Sequence, residues 1–201
     1  HKLVDPLLEL QKMIGMDEIK QAIFNQIIYY LQKLDSKNHD MLHTVIQGPP
    51  GVGKTDIANI LAKVYKVMGF LTKDKVITVK RDDLIGGYLG QTSIKTRKKL
   101  EEARGGVLLI DEAYSLGNSQ GKDMYSKEAI DMLTSYLSEH PHDLVCIIAG
   151  YRDALQKCFF NYNQGLERRF PNRYEIGKYK PEELRLIFFK IIREYDWDVE
   201  N

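Results

Sequence analysis

The chain has 201 residues, 43% hydrophobic and 28% charged, with a net charge of +1. This is enough chain for one sizeable core with ordinary soluble-domain composition, and the near-neutral balance excludes a bulk electrostatic pull toward nucleic acid or an anionic membrane. No apolar stretch approaches the ~20 residues a bilayer-spanning helix needs, no signal-peptide pattern opens the chain, and the two cysteines, Cys146 and Cys158, lack metal-ligand spacing, so the expectation is a cytoplasmic, reducing compartment with Cys146 as a small core residue.

In chain order, Asp5-Pro6 reads as a helix start, the acid at the N-cap and proline at the first helical position, with the helix ending near Ile14-Gly15. Asp17 opens a longer helix whose apolar face is Ile19, Ala22, Ile23, Ile27, Tyr30, Leu31 and Leu34. A polar stretch, 35–40, leads to a strand at 43–46. Then comes Gly48-Pro49-Pro50-Gly51-Val52-Gly53-Lys54-Thr55 and a helix over 55–68, the strand–loop–helix setting of a phosphate-binding loop, G-x-x-x-x-G-K-[ST]. Gly51 and Gly53 let the backbone curl so that successive N–H groups converge on phosphate oxygens, and the helix N-terminus adds its positive end. Lys54 reaches the β- and γ-phosphates and Thr55 suits Mg²⁺. Pro50, Gly51, Val52, Gly53, Lys54, Thr55 and Asp56 form the expected nucleotide-contacting stretch, the alternative being a chance match in a Gly/Pro turn.

Strands follow at 76–79 and 107–110, separated by a basic helix over 92–103. The second is a continuous apolar run, suited to a central parallel strand covered on both faces, and it ends in Asp111-Glu112. Ligands of open α/β sheets bind beyond the carboxyl ends of strands, so Asp111 faces the phosphate loop and holds Mg²⁺ while Glu112 orients or deprotonates the attacking water. The competing role is to cap the following turn. Residues 116–123 read as an exposed loop. Next come an amphipathic helix over 126–137, with Ala129, Ile130, Leu133 and Leu137 inward, and strands at 144–149 and 173–176. Pro181 opens a last helix carrying Leu184, Ile187, Phe188 and Ile191. This alternation predicts a parallel sheet between helices.

The chain resembles the AAA+ ATPases throughout, and within them the CbbX and stage V sporulation protein K branch. The strings that carry this are Asp83 to Thr92 (DLIGGYLGQT), Lys95-Thr96-Arg97, Gly105 to Leu116 (GGVLLIDEAYSL), Lys127 to Asp131 (KEAID), Ile148 to Tyr151 (IAGY) and Asn161 to Phe170 (NYNQGLERRF), in distinctive order and spacing. The resemblance implies a P-loop NTPase domain over 1–177 with a five-stranded parallel sheet, followed over 178–201 by the start of a small helical lid, and a homo-oligomeric ring, usually a hexamer, with ATP between subunits. It assigns Tyr88-Leu89-Gly90 to a pore loop that grips polypeptide, against the alternative of a tyrosine packed over the sheet edge. It places the arginine finger at Arg168 or Arg169, position favouring Arg169, with the other arginine in a boundary salt bridge to an acid such as Glu167. Ile14-Gly15 falls where the family packs adenine, or is simply a helix C-cap. Tyr151 or Arg152 stands at the sensor-1 position. Gln164 replaces a usual proline, and the sensor-2 arginine of a later lid helix has no counterpart before Asn201.

The implied activity is Mg²⁺-dependent ATP hydrolysis driving a protein remodeller on an unidentified protein client. The alternatives are an ATP-dependent assembly module with little turnover and a nucleic-acid motor. For the last, Lys95, Arg97, Lys98 and Lys99 form a basic cluster, but the neutral balance favours a solvated face paired with Glu101 and Glu102, which argues against nucleic acid as partner.

Overall fold

A computed structural model of the chain describes residues 2–32, 41–88, 90–117, 123–195 and 197. Two helices, α1 (Val4–Lys12) and α2 (Asp17–Leu31), precede an alternating run: β1 (Thr44–Gln47), α3 (Lys54–Val67), β2 (Val76–Val79), the short α4 (Arg81–Leu84), α5 (Gln91–Glu102), β3 (Val107–Ile110), α6 (Met124–Glu139), β4 (Val145–Gly150), α7 (Arg152–Cys158), α8 (Gln164–Glu167), β5 (Asn172–Glu175) and α9 (Pro181–Glu194). The strands form one five-stranded sheet in the order β2-β3-β4-β1-β5, and every pairing is parallel.

Each central strand is buried on both sides because its alternating residues enter two different cores. Ile46, Leu109, Ile147 and Ala149 pack with α2 and α3 residues such as Ile23, Ile57 and Leu61. Val45, Leu108, Ile110, Cys146 and Ile148 pack with Leu100, Ile130, Leu133 and Leu155 on the opposite face. Fully burying one such side chain contributes roughly 1.5–3 kcal/mol, so the sheet is a stiff platform for the loops at its carboxyl ends. Cys146 is wholly buried, and that burial pushes its thiol pKa up.

Several boundaries differ from expectation. Asp5 is not the N-cap of α1: Leu3 holds that place, and Asp5 lies in the first turn, where its carboxylate still meets the positive helix end. On α2 the buried stripe is Ile19, Ile23, Ile27 and Tyr30, whereas Ala22 and Leu31 face outward; Leu34 lies outside the described residues. The expected loop at 116–123 starts later, because Leu116 is fully buried at the end of a 3-10 turn, Ala113–Leu116; residues 118–122 lie outside the described residues. α9 has the predicted apolar residues but buries none of them fully.

Candidate nucleotide site

The loop between β1 and α3, the turn after β3 and the end of β4 converge on a cavity of about 300 Å³. Pro50, Gly51, Gly53, Lys54, Thr55 and Asp56 form one wall; Asp111, Glu112, Tyr114, Gly150 and Tyr151 form the other. The phosphate-loop glycines are needed where predicted: Gly51 has φ +72° and Gly53 φ +86°, and a Cβ at Gly53 would sit 3.1 Å from the Met16 Cε. Val52 does not line the cavity; its side chain is 4% exposed, and its carbonyl accepts from the Tyr179 hydroxyl at 3.1 Å. α3 begins at Lys54 with no side-chain cap, so its first N–H groups are available to an anion.

Lys54 donates to the carbonyls of Pro49 (2.6 Å) and Gly48 (3.1 Å), leaving one of its three donors for a ligand. Burial lowers its pKa, while Asp111 and Glu112 push it back up. Across the cavity, Asp111 accepts from the Glu112 backbone N–H at 3.0 Å. Glu112 has φ +53°, one of two positive values at non-glycine residues among those described, a conformation that costs energy and persists where the surroundings enforce it. Glu112 is the residue before the 3-10 turn, yet its side chain makes no cap bond. Its carboxylate instead lies 3.8 Å from the Lys80 ammonium.

A wider cleft of about 640 Å³ shares Gly51, Gly53 and Asp56 with this cavity and runs between α1, α3 and α9. Met13, Ile14, Ile60, Tyr179, Ile187 and Ile191 give it apolar walls. Ile14 therefore reaches the cleft; Gly15 does not line it, and its role is a close approach, since a Cβ there would lie 2.6 Å from the Glu183 carboxylate. A polar cavity with free helix N–H groups, sharing residues with a cleft of mixed apolar and charged lining, fits a triphosphate joined to a flat base. Tyr114, Tyr179, Ile187 and Ile191 were not legible as site residues, because they come from separate elements. Tyr151 lines the cavity, and Arg152 pairs with Glu175 at 3.4 Å, so of the two sensor-1 candidates only Tyr151 is in the site.

The remaining candidates lie outside the cavity. Tyr88 is 74% exposed, which rules out packing over the sheet edge. Gly90 has φ +82° and starts α5. Leu89 lies outside the described residues. Arg169 donates from Nε (2.8 Å) and Nη2 (2.6 Å) to the Ser138 hydroxyl and from Nη1 to the Gly165 carbonyl (2.6 Å). Arg168 is exposed. Glu167 pairs with Arg173 at 2.9 Å rather than with either arginine. In the basic helix, Lys99 pairs with Glu102 at 3.2 Å and Lys95 donates to the Asp82 and Ile85 carbonyls, so half of that cluster is engaged within the chain.

The fold and this cavity define a P-loop ATPase. Residues 44–178 match the ATPase family associated with various cellular activities (AAA), and the chain belongs to that family. It is 47% identical over 199 residues to a cfxQ-like protein of Acanthamoeba polyphaga mimivirus, covering 99% of this chain and 49% of the relative, within the branch suggested by the sequence strings. It is 37% identical over 195 residues to the chloroplastic ribulose bisphosphate carboxylase/oxygenase activase of Cyanidioschyzon merolae, covering 94% of this chain and 66% of that protein. The chain thus spans about half to two thirds of the length of these relatives. Among solved structures, the FIGL-1 AAA domain in complex with ADP has the same fold, with a TM-score of 0.64 at 20% identity over 91% of this chain and 60% of that one. Among the described residues, no helix is long and apolar enough to cross a membrane.

Proposed function

We propose that this chain is the ATP-hydrolysing part of a ring-forming protein remodeller, with residues 1–177 as the ATPase domain and α9 as the first helix of its lid. The observation that carries this reading is the facing of Lys54 and Thr55 against Asp111 and Glu112 across one cavity. The phosphate-loop amides and Lys54 hold the β- and γ-phosphates, and Ile14 with the α1–α9 cleft receives adenine. Thr55 and Asp111 suit Mg²⁺, an ion that keeps water and phosphate as most of its ligands. When bound, Mg²⁺ supplies charge neutralisation of the phosphates. Glu112 accepts a proton from the attacking water, and the Tyr151 hydroxyl stands at the same wall to orient it.

Arg169 acts as the finger on a neighbouring subunit's γ-phosphate. Ser138 and Gly165 fix its fork at the surface while leaving two of its five N–H groups free. Tyr88, exposed beside Gly87 and Gly90, contacts a polypeptide client in the ring. A relative named as a Rubisco activase supports a protein client, and the intrachain engagement of Lys95 and Lys99 argues against DNA.

The deciding experiment is Glu112→Gln. ATP binding persists and phosphate release drops on the order of 10²-fold or more, as expected for loss of a general base. Undiminished phosphate release in that variant refutes the assignment.

A further inference from the structure

Resting on that reading of the cavity, we propose that Arg81 is a positioning residue that fastens the turn carrying Glu112 to the segment carrying Tyr88, so that the two move as one bracket.

One side of the bracket is the turn after β3. The Arg81 guanidinium donates from Nη1 to the Ser115 carbonyl at 2.7 Å and to the Ser126 hydroxyl at 2.8 Å, and from Nη2 to Asp123 at 2.5 Å. The Ser115 N–H in turn donates to the Glu112 carbonyl at 2.8 Å. Two hydrogen bonds therefore separate Arg81 from the residue held in the left-handed conformation. Asp123 is a fixed anchor: it caps α6 by accepting from the Tyr125 and Ser126 N–H groups. Burial pushes its carboxyl pKa up, but hydrogen bonds from the Ser126 hydroxyl, from Arg81 and from the Ser126 N–H outweigh this and bring it down to about 2.

The other side is the segment that runs from Arg81 to Tyr88, fastened at several points to itself and to α5. The Arg81 carbonyl accepts from Ile85, Lys95 donates to the Ile85 carbonyl at 3.0 Å, Thr96 donates to the Leu84 carbonyl at 3.2 Å, and Thr92 accepts from the Gly86 N–H at 3.0 Å. Gly86 is packed so closely that a Cβ would meet Gln91 at 2.6 Å, whereas Gly87 and Gly90 face open space. Tyr88 therefore projects from a rigid base, and that base is bolted to the Glu112 turn through one planar, multidentate side chain. Lysine cannot reproduce a fork that reaches three partners.

The test measures chymotrypsin cleavage after Tyr88, followed by mass spectrometry, with and without a slowly hydrolysed ATP analogue whose affinity is measured in parallel. In the unaltered chain the analogue changes the cleavage rate about threefold or more, as a shift in loop population requires. Arg81→Gln and Arg81→Lys bind the analogue with affinity close to that of the unaltered chain but lose the change in cleavage. Lys95→Met, which loosens the Tyr88 side and leaves the Arg81 contacts in place, loses it too and serves if Arg81→Gln fails to fold. Tyr88 cleavage that still responds in variants that bind the analogue, or that does not respond in the unaltered chain although the analogue binds, overturns the inference. Failure of the unaltered chain to bind the analogue removes the functional reading itself, and the inference with it.

Discussion

Lys54 stands between opposed influences: burial favours its neutral form, and the carboxylates of Asp111 and Glu112 favour its charge. A triphosphate adds negative charge on the same side as the carboxylates, so binding reinforces the ammonium. Replacing Lys54 by Ala removes charged hydrogen bonds worth about 1.5–3 kcal/mol, so ATP affinity falls about 10- to 100-fold, as a fluorescent-nucleotide titration reads directly. A second residue-scale prediction concerns His43. It is fully buried, its Nδ1 accepts the Cys146 N–H at 3.1 Å, and burial, aided by His142, lowers its pKa to about 4. The folded chain thus keeps His43 neutral where the unfolded chain, titrating near 6.5, takes up a proton. Stability from this residue is complete above about pH 6.5 and is lost as pH falls toward about 4, by a total on the order of 3 kcal/mol. Urea midpoints across that range show the slope, and His43→Asn flattens it.

At the scale of elements, α2 is tied to the sheet by one polar knot. The Gln26 amide oxygen accepts from the hydroxyls of Tyr65 (3.2 Å) and Tyr174, and its nitrogen donates to Asn172 at 2.8 Å. Gln26→Leu keeps the volume but deprives buried hydroxyls of their acceptor, so the chain loses about 1–3 kcal/mol in urea unfolding with an unchanged slope. No pattern in the sequence marks Gln26, because its partners are far away along the chain. The same contrast runs through the rest of the molecule. The strand at 76–79 and the central strand at 107–110 were readable to the residue, and so were the phosphate loop and Asp111-Glu112, because apolar runs and motifs are local signals. Tyr114 meets Tyr151 at the phosphate cavity, with ring centroids 5.7 Å apart, and Tyr179 lines the neighbouring cleft; neither Tyr114 nor Tyr179 carries a local signal of that place. The apolar stripe of α9 was readable, but not its exposure: Leu184 and Phe188 remain 53% and 55% exposed, while Ile187 and Ile191 line the base cleft.

For the whole molecule, the separation between the cavity and Arg169 is the decisive property. Glu112 lines the cavity, whereas Arg169 is anchored to Ser138 and Gly165 and is not among the residues lining it. In the proposed ring, a guanidinium so placed reaches the γ-phosphate of the neighbouring subunit across the head-to-tail contact that closes rings. Two inactive variants must then rescue each other. Arg169→Ala keeps Glu112 but offers no finger, and its turnover falls on the order of 10³-fold. Glu112→Gln offers the finger but no base. When the two are mixed in equal amounts and subunits exchange at random, about a quarter of interfaces pair an intact Glu112 with an intact Arg169, and turnover recovers to about a quarter of the unaltered level at saturating protein. On the proposed assignment, Arg168→Ala keeps its turnover without any partner variant. Phosphate release that stays at background in the Arg169→Ala and Glu112→Gln mixture would show that both groups act within one subunit, and undiminished release by Arg169→Ala alone would show that Arg169 has no catalytic role.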